Sequence, residues 1–482
     1  MNQRHFTYRA FFLLLISFFY GCTEETGLTT QSLEARAAYN EGMKHWENFY
    51  YTEAKSSFES TVTHDSSFAM AWARLAMVNF STQNDRFAKA EIERAMRLSV
   101  SATRKEQLFI RMWERRIEFA MDEAAVIADS LIALYPKEPE PYVFRGGLFE
   151  QNKNLDAAIK SYQKAVEVDT GYAPAVMQLG YAYSTANEQE KAIATMERYI
   201  RLVPGAADPR ASYADLLLRV GRYDEALEQY RQSLELKPDY WYSLQQIGTI
   251  YSIQGKLDAA VLQFEAGFNV LPQSEQLAAS RKAVSAGLEM QRMRYQEAVT
   301  LYDEALALDS ANFTARFGLV NALGKLHKFN QARGVVEEIR EELTRKNLDE
   351  TGSMQGFHTM KARLFLEEGL LEEAKAECEK ALQFSSPLSR PSVIRWLAEI
   401  HVHEKQYEAA LDACEIALSV NPNSPLALLT LTRVYAALGD ERMTREISNR
   451  LLALWKHADN DFVELISLKK ILGSRGAGQD RL

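Results

Sequence analysis

"GRYDEALEQYRQSLELKPDY", residues Gly221 to Tyr240, decides the fold because the chain keeps rewriting it. The same pattern returns in "NLDAAIKSYQKAVEVDTGY" (Asn154 to Tyr172), "GKLDAAVLQFEAGFNVLPQS" (Gly255 to Ser274), "RYQEAVTLYDEALALDSANF" (Arg294 to Phe313) and "QYEAALDACEIALSVNPNSP" (Gln406 to Pro425). In the first four of these stretches a small residue is followed one helical turn later by a bulky one and then by a second small one, as in Ala158, Tyr162 and Ala165, and in the last Cys414 takes the middle place. That spacing puts all three on one face of a helix. The leading alanines fall at positions 124, 158, 192, 226 and 260, a constant step of 34. Upstream of each lies a second apolar face, such as Leu179, Gly180 and Tyr183, or Ile247, Gly248 and Tyr251. Small residues there let two helices approach closely, and an aromatic fills the next gap.

The prolines test this independently. A unit of two helices in 34 residues must keep proline out of both interiors, where each would cost about 3 kcal/mol or more. All 12 prolines obey: Pro136, Pro139, Pro141, Pro174, Pro204, Pro209, Pro238, Pro272, Pro387, Pro391, Pro422 and Pro425 cluster at the joins between units. Gly221, Gly255, Gly369 and Gly439 share the position of the turn inside the unit.

This pattern resembles the tetratricopeptide repeat, a helix-turn-helix unit of 34 residues. The resemblance covers residues 35 to about 458. It implies an all-α, right-handed α-solenoid (a superhelix) of about twelve units, beginning near residues 35, 69, 105, 139, 173, 207, 241, 279, 313, 355, 391 and 425. The third unit reads as having a long first helix around Gln107 to Phe119, and the eighth is preceded by four extra residues. The organisation that follows is nine units over 35–340, an insertion or hinge over 341–354, three more units over 355–458, a capping helix over 459–472 and a flexible tail over 473–482. No unit can bury its apolar face alone, so repetition is itself the fold.

The first 22 residues, "MNQRHFTYRAFFLLLISFFYGC", are different text. Arg4 and Arg9 precede an apolar run from Ala10 to Tyr20. That run is too short to span a bilayer, which needs about 20 residues. A basic start and a short apolar core describe a secretory signal over residues 1–21. Gly21-Cys22 resembles the lipobox of bacterial lipoproteins, although Phe19 and Tyr20 stand where that family has Leu and a small residue. The resemblance implies acylation of Cys22, a tether over residues 22–34 and a membrane-anchored place in the bacterial cell envelope, on the periplasmic side. With no Asp after Cys22, the outer membrane is favoured over the inner.

Composition narrows the function further. Charged residues are 25% and hydrophobic ones 47%, which describes a folding chain. The net charge is -9 and basic residues form no long run, so nucleic acid is not an expected partner. Cys378 and Cys414 sit in helical apolar pattern and read as small core residues. His401 and His403 are two apart, which points them to different sides of a helix and away from a shared metal. No zincin, phosphate-loop or nucleophile-elbow motif occurs. The expectation is a binding protein with no enzyme activity, cofactor or metal.

Carrying over the family's groove positions from the first helix of each unit gives Tyr39, Trp46, Met70, Met77, Phe80, Phe109, Trp113, Val143, Met177, Tyr181 and Tyr242. Met43 and Leu218 belong to the same series, and Arg363, Arg395, Glu399 and His403 continue it. The groove therefore reads as apolar and aromatic at first and charged towards the end. An apolar helix or extended peptide would fit the first part, unless these side chains pack between units instead. The leading expectation is a lipid-anchored scaffold for protein partners in an envelope assembly, secretion or wall-maintenance complex. A detached sensory module of a kinase-type signalling system and a glycan-binding envelope lipoprotein stand beside it.

Overall fold

The computed structural model describes residues 28–479 apart from 83, 347, 349–351 and 388, with backbone alone over 474–479. Residues 1–27, which hold the expected signal and Cys22, lie outside them. The described residues form helices and no strands. In order they are α1 (Leu33–Glu47), α2 (Tyr51–His64), α3 (Ala69–Ser81), α4 (Asp85–Leu98), α5 (Arg104–Ile117), α6 (Met121–Leu134), α7 (Pro139–Gln151), α8 (Leu155–Val168), α9 (Ala173–Thr185), α10 (Gln189–Leu202), α11 (Asp208–Arg219) and α12 (Tyr223–Leu236). Then come α13 (Trp241–Ile253), α14 (Leu257–Asn269), α15 (Glu275–Gln291), α16 (Tyr295–Leu308), α17 (Phe313–Lys325), α18 (Phe329–Arg345), α19 (Ser353–Glu368), α20 (Leu371–Gln383), α21 (Arg390–His403), α22 (Tyr407–Leu418), α23 (Pro425–Leu438), α24 (Glu441–Leu454) and α25 (Val463–Gln479). They make twelve helix pairs and a final single helix.

A backbone signature marks the turn inside the pairs. Gly221, Gly255, Gly369 and Gly439 adopt φ between 71° and 83°. Phe49, Phe119, Lys153, Asn187, Met293, His327 and Lys405 occupy the same place in their pairs with φ of 56–62°. The left-handed residue ends the first helix and reverses the chain. Glycine takes that conformation freely; the other side chains accept strain because the packed helices on both sides dictate the turn.

The helix pairs are locked by a bulky residue seated in a notch. A Cβ added at Gly42 would stand 2.6 Å from the Phe58 ring, and one at Gly146 would stand 2.3 Å from Tyr162. Gly180 meets Met196 at 2.8 Å and Gly248 meets Phe264 at 3.0 Å. In the third pair the roles swap, with Met112 on the first helix and Ala128 on the second, both fully buried. Late in the chain Cys378 and Cys414 fill the seat, buried and free of disulfides as the sequence pattern implied.

The contacts divide the chain into two compact units, Met1–Ala175 and Val176–Leu482. In the first, one core runs from Tyr39 through Phe58, Met77, Ile110 and Met112 to Leu148. Its start differs from the expected free tether. Thr30 is buried and its hydroxyl donates to Asp65 Oδ2 at 2.6 Å. The Thr29 amide donates to Glu106 Oε1 at 3.2 Å, and Arg36 donates to the Thr30 carbonyl at 3.0 Å. The third pair also differs: α5 has an ordinary 14 residues, because Ser99–Ser101 form a separate 3-10 turn that absorbs the extra length.

In the second unit the last helices return to the early ones. Trp455 donates from Nε1 to the Ile253 carbonyl at 3.0 Å, and the Asp459 amide donates to the Gly255 carbonyl at 2.8 Å. Asn423 donates to the Gly221 carbonyl at 3.2 Å, and Arg294 donates to Asp461 at 3.2 Å. Leu257, Ala260 and Leu288 share one apolar cluster with Ile447, Leu451, Trp455, Phe462 and Leu465. This unit thus closes on itself through its turns. At the two ends of the 341–354 insertion, α18 runs on to Arg345 and α19 begins at Ser353. The four extra residues before the eighth pair become an added turn at the start of α15. The final helix extends to Gln479, past the expected boundary at 472, so most of the expected tail is helical backbone.

Trp455 is 2% exposed and anchors the closure. Trp455→Ala should cost the second unit about 3–5 kcal/mol. Amide hydrogen exchange should quicken around Gly255 as well as around Asp459. Exchange unchanged at Gly255 would contradict the closure.

Candidate functional site

The structure divides the sequence-derived groove residues. Tyr39, Met70, Met77, Phe109 and Trp113 are buried in the first unit, and Met177 in the second. Tyr39 packs on Phe58 and Phe68 with ring centroids at 5.7 and 5.1 Å, and Trp113 meets Phe144 at 6.0 Å. These side chains cement neighbouring pairs, because successive first helices press against one another and cover the positions an open groove would expose. Their burial sets them between neighbouring pairs instead of in an open groove, and Tyr39, Met70 and Phe109 line a cavity there. Trp46, Phe80, Val143, Tyr181 and Tyr242 stay half-buried.

What the first unit offers instead is a charged pocket. A cavity of about 160 Å³ is lined by Leu28, Tyr39, Met70, Arg74, Phe109 and Glu140, among others. Arg74 is 5% exposed. It donates to both Glu140 oxygens at 2.7 and 2.9 Å and to the Tyr39 hydroxyl at 3.3 Å, and its guanidinium lies 4.4 Å over the Phe109 ring. Burial works against the Arg74 charge, but Glu140 and Tyr39 outweigh it and hold the guanidinium protonated well above its ordinary range. Sequence reasoning passed over Arg74. The available signal was a lone arginine inside "AMAWARLAMV", which must find a partner to be buried there.

The second unit carries a lattice of tyrosines and aspartates. Asp208 and Asp215 lie two turns apart on one face of α11. Tyr199 and Tyr240 each donate to Asp208 at 2.8 Å. Tyr181 donates to Asp215 at 2.8 Å, Tyr230 at 2.5 Å and Tyr242 at 3.0 Å. Two sequence-derived groove residues, Tyr181 and Tyr242, therefore hold a carboxylate that sequence reasoning missed. Burial pushes the Asp208 carboxyl up to about 6, with the tyrosine hydrogen bonds opposing it. Burial raises Asp215 as well, against its own three tyrosines.

Further along, α19, α21 and α23 bring Arg363, Arg395, Trp396, Glu399 and Arg433 onto one face. Arg395 stacks on Trp396 at 3.9 Å and Arg363 approaches the same ring at 4.7 Å. Glu399 accepts from Arg433 at 2.8 Å. His401 turns to Glu404 and Gln406 at 3.1 and 3.0 Å. Among the described residues no group of three or more metal-capable side chains occurs. Burial pushes the Cys378 and Cys414 thiols up to about 12, which leaves them inert as nucleophiles.

Asp208 makes stability depend on pH. Its carboxyl titrates near 6 in the fold against 3.8 when free, so the folded state holds the proton more tightly. The resulting stabilisation is complete at acid pH, below the free value, and fades as pH rises through the folded value. Asp208 alone should make the second unit about 1 kcal/mol more stable at pH 5 than at pH 7.5. Denaturant melts at both values should show this difference, and Asp208→Asn should shrink it by that amount.

Comparison with known proteins follows the helix pairs. Family profiles described as "Tetratricopeptide repeat" match residues 148–207 and 213–267, and again 356–386. The chain is 20% identical over 310 residues to "Anaphase-promoting complex subunit 3" of Schizosaccharomyces pombe, covering 64% of this chain and 40% of that one. It is 26% identical over 183 residues to "Protein O-mannosyl-transferase TMTC1" of Homo sapiens, covering 36% of this chain and 20% of that one. The chain thus spans well under half the length of these curated relatives. A solved "Human IFIT1 dimer with m7Gppp-AAAA" aligns over 80% of this chain and 90% of that one, at 16% identity and a TM-score of 0.45.

Proposed function

Since the chain is a tetratricopeptide-repeat protein, we propose that it is a lipid-anchored scaffold that gathers protein partners at a bacterial envelope membrane. The observation that carries the scaffold reading is the set of partly open polar and aromatic side chains on the first-helix faces, Tyr181, Tyr242, Arg363, Arg395 and Trp396. Aromatic and arginine side chains of this kind dominate contact energies where proteins meet. The lipid anchor is supported by the sequence "LLLISFFYGC", Leu13 to Cys22. Acylation there would hold the periplasmic face of a membrane, the outer one in preference to the inner, and several acyl chains on one cysteine anchor stably where a single chain does not. Among the described residues no helix is long and apolar enough to cross a membrane.

Cell fractionation tests the reading together with photo-crosslinking from Tyr242. The native chain should sediment with membranes, carry an acyl label and crosslink to a protein. Cys22→Ser should move to the soluble fraction and lose the label. An unlabelled native chain, or a variant still membrane-bound, would overturn the anchor. Crosslinks absent from Tyr242 and from Trp396 alike would overturn the scaffold.

A further inference from the structure

We propose that the face built by α19, α21 and α23 is a docking site for an acidic peptide segment, whose carboxylates pair with Arg363 and Arg395 and whose flank lies along Trp396. This rests on the scaffold reading and gives its partner a chemistry. The two guanidiniums stand 4.7 and 3.9 Å from one indole. Both are half-buried. Neither makes an ion pair or hydrogen bond among the described residues, although carboxylates lie close by.

Those carboxylates are taken. Glu399 is 8% exposed; it accepts from Arg433 through both oxygens at 2.8 Å and from the Thr430 hydroxyl at 2.5 Å. Glu367, beside Arg363, is bonded by Lys325. Glu464 on α25 senses Arg395 and Arg433 but forms an ion pair with neither, and its Oε2 is buried without a partner. Burial pushes the Glu464 carboxyl up to about 7, so near neutral pH it supplies only part of a charge. The face keeps a surplus of positive charge.

Holding that surplus is unfavourable in the chain alone. Burial pulls Arg395 down to about 10, and Arg363 is lowered for the same reason. A desolvated cation without a counter-charge costs stability. The more deeply buried Arg74 is neutralised by Glu140, whereas the half-buried Arg116 lies among the Phe80, Trp113 and Phe144 rings with no ion pair among the described residues. What sets Arg363 and Arg395 apart is that two guanidiniums share the one half-buried Trp396 indole and repel each other there, so a ligand carboxylate would relieve both at once.

Geometry selects a peptide over a small anion. Arg363, Arg395 and Arg433 come one each from three successive first helices, and the middle one, Arg395, lies within electrostatic range of the other two. Packed helices stand about 10 Å apart, and three residues of extended chain span about the same length. An acidic residue at every third position would therefore meet the three in register. The guanidinium fork suits a planar carboxylate, and the Trp396 ring offers apolar surface to the residues between.

The experiment measures fluorescence anisotropy of a labelled extended peptide of about twelve residues with Glu at every third position, against the full chain at low salt. Binding should be salt-sensitive. Arg363→Gln and Arg395→Gln should each weaken it at least about tenfold, the loss expected when a charged hydrogen-bonding partner is removed. Both variants should melt at or above the native Tm, because each removes a desolvated charge. Inorganic phosphate in about tenfold excess over the protein should not displace the peptide, since a single tetrahedral anion cannot span all three. The proposal is overturned if the peptide does not bind, if both variants bind it undiminished, if phosphate displaces it fully, or if both variants lose Tm. Failure of any of these leaves the Tyr242 crosslinks and the acyl label standing, so the broader reading is judged separately.

Discussion

A bulky side chain seated in a notch on the helix before it is the contact on which everything else depends. Phe58 against Gly42, Tyr162 against Gly146, Met196 against Gly180 and Phe264 against Gly248 repeat one geometry. Each seat fixes how closely two helices approach. That distance decides whether the second helix can press on the next pair. The exchange of roles at Met112 and Ala128 shows that combined volume, more than the identity of either partner, is conserved. Cys378 beside Ala362 is a lighter version of the same seat.

Most of this was legible in the sequence. The step of 34, the segregated prolines and the turn glycines located twelve helix pairs, and the observed first helices begin within a few residues of the expected positions. Repeats are legible because their contacts are local and periodic. The less legible features come from contacts between distant residues. Nothing near Trp455 announces that its indole nitrogen will meet the carbonyl of Ile253. Thr29 and Thr30 read as tether because their partners, Glu106 and Asp65, are far along the chain.

The candidate site was harder, for a related reason. Helical period tells which face a residue occupies but not what covers that face. Met77 and Trp113 are on the face the pattern indicated, and neighbouring first helices bury them there. Tyr181 and Tyr242 are partly open but engaged by Asp215. Of the charged residues read from the later repeats, Glu399 is paired with Arg433, while Arg363 and Arg395 share the Trp396 ring and make no ion pair among the described residues. The two units handle charge differently. The first pairs Arg74 with a carboxylate and packs Arg116 among aromatic rings, and the second surrounds its aspartates with tyrosines and gathers Arg363 and Arg395 on Trp396.

The notch itself is most directly tested by a double-mutant cycle that imitates the exchange the chain already uses. Gly180→Met alone overfills the seat and should lower stability by about 1–3 kcal/mol. Met196→Ala alone empties it and should cost about 2–5 kcal/mol. Together they rebuild the arrangement of Met112 and Ala128 and should come back to within about 1.5 kcal/mol of the native chain in denaturant melts. A double variant as unstable as the sum of the two single ones would contradict the account.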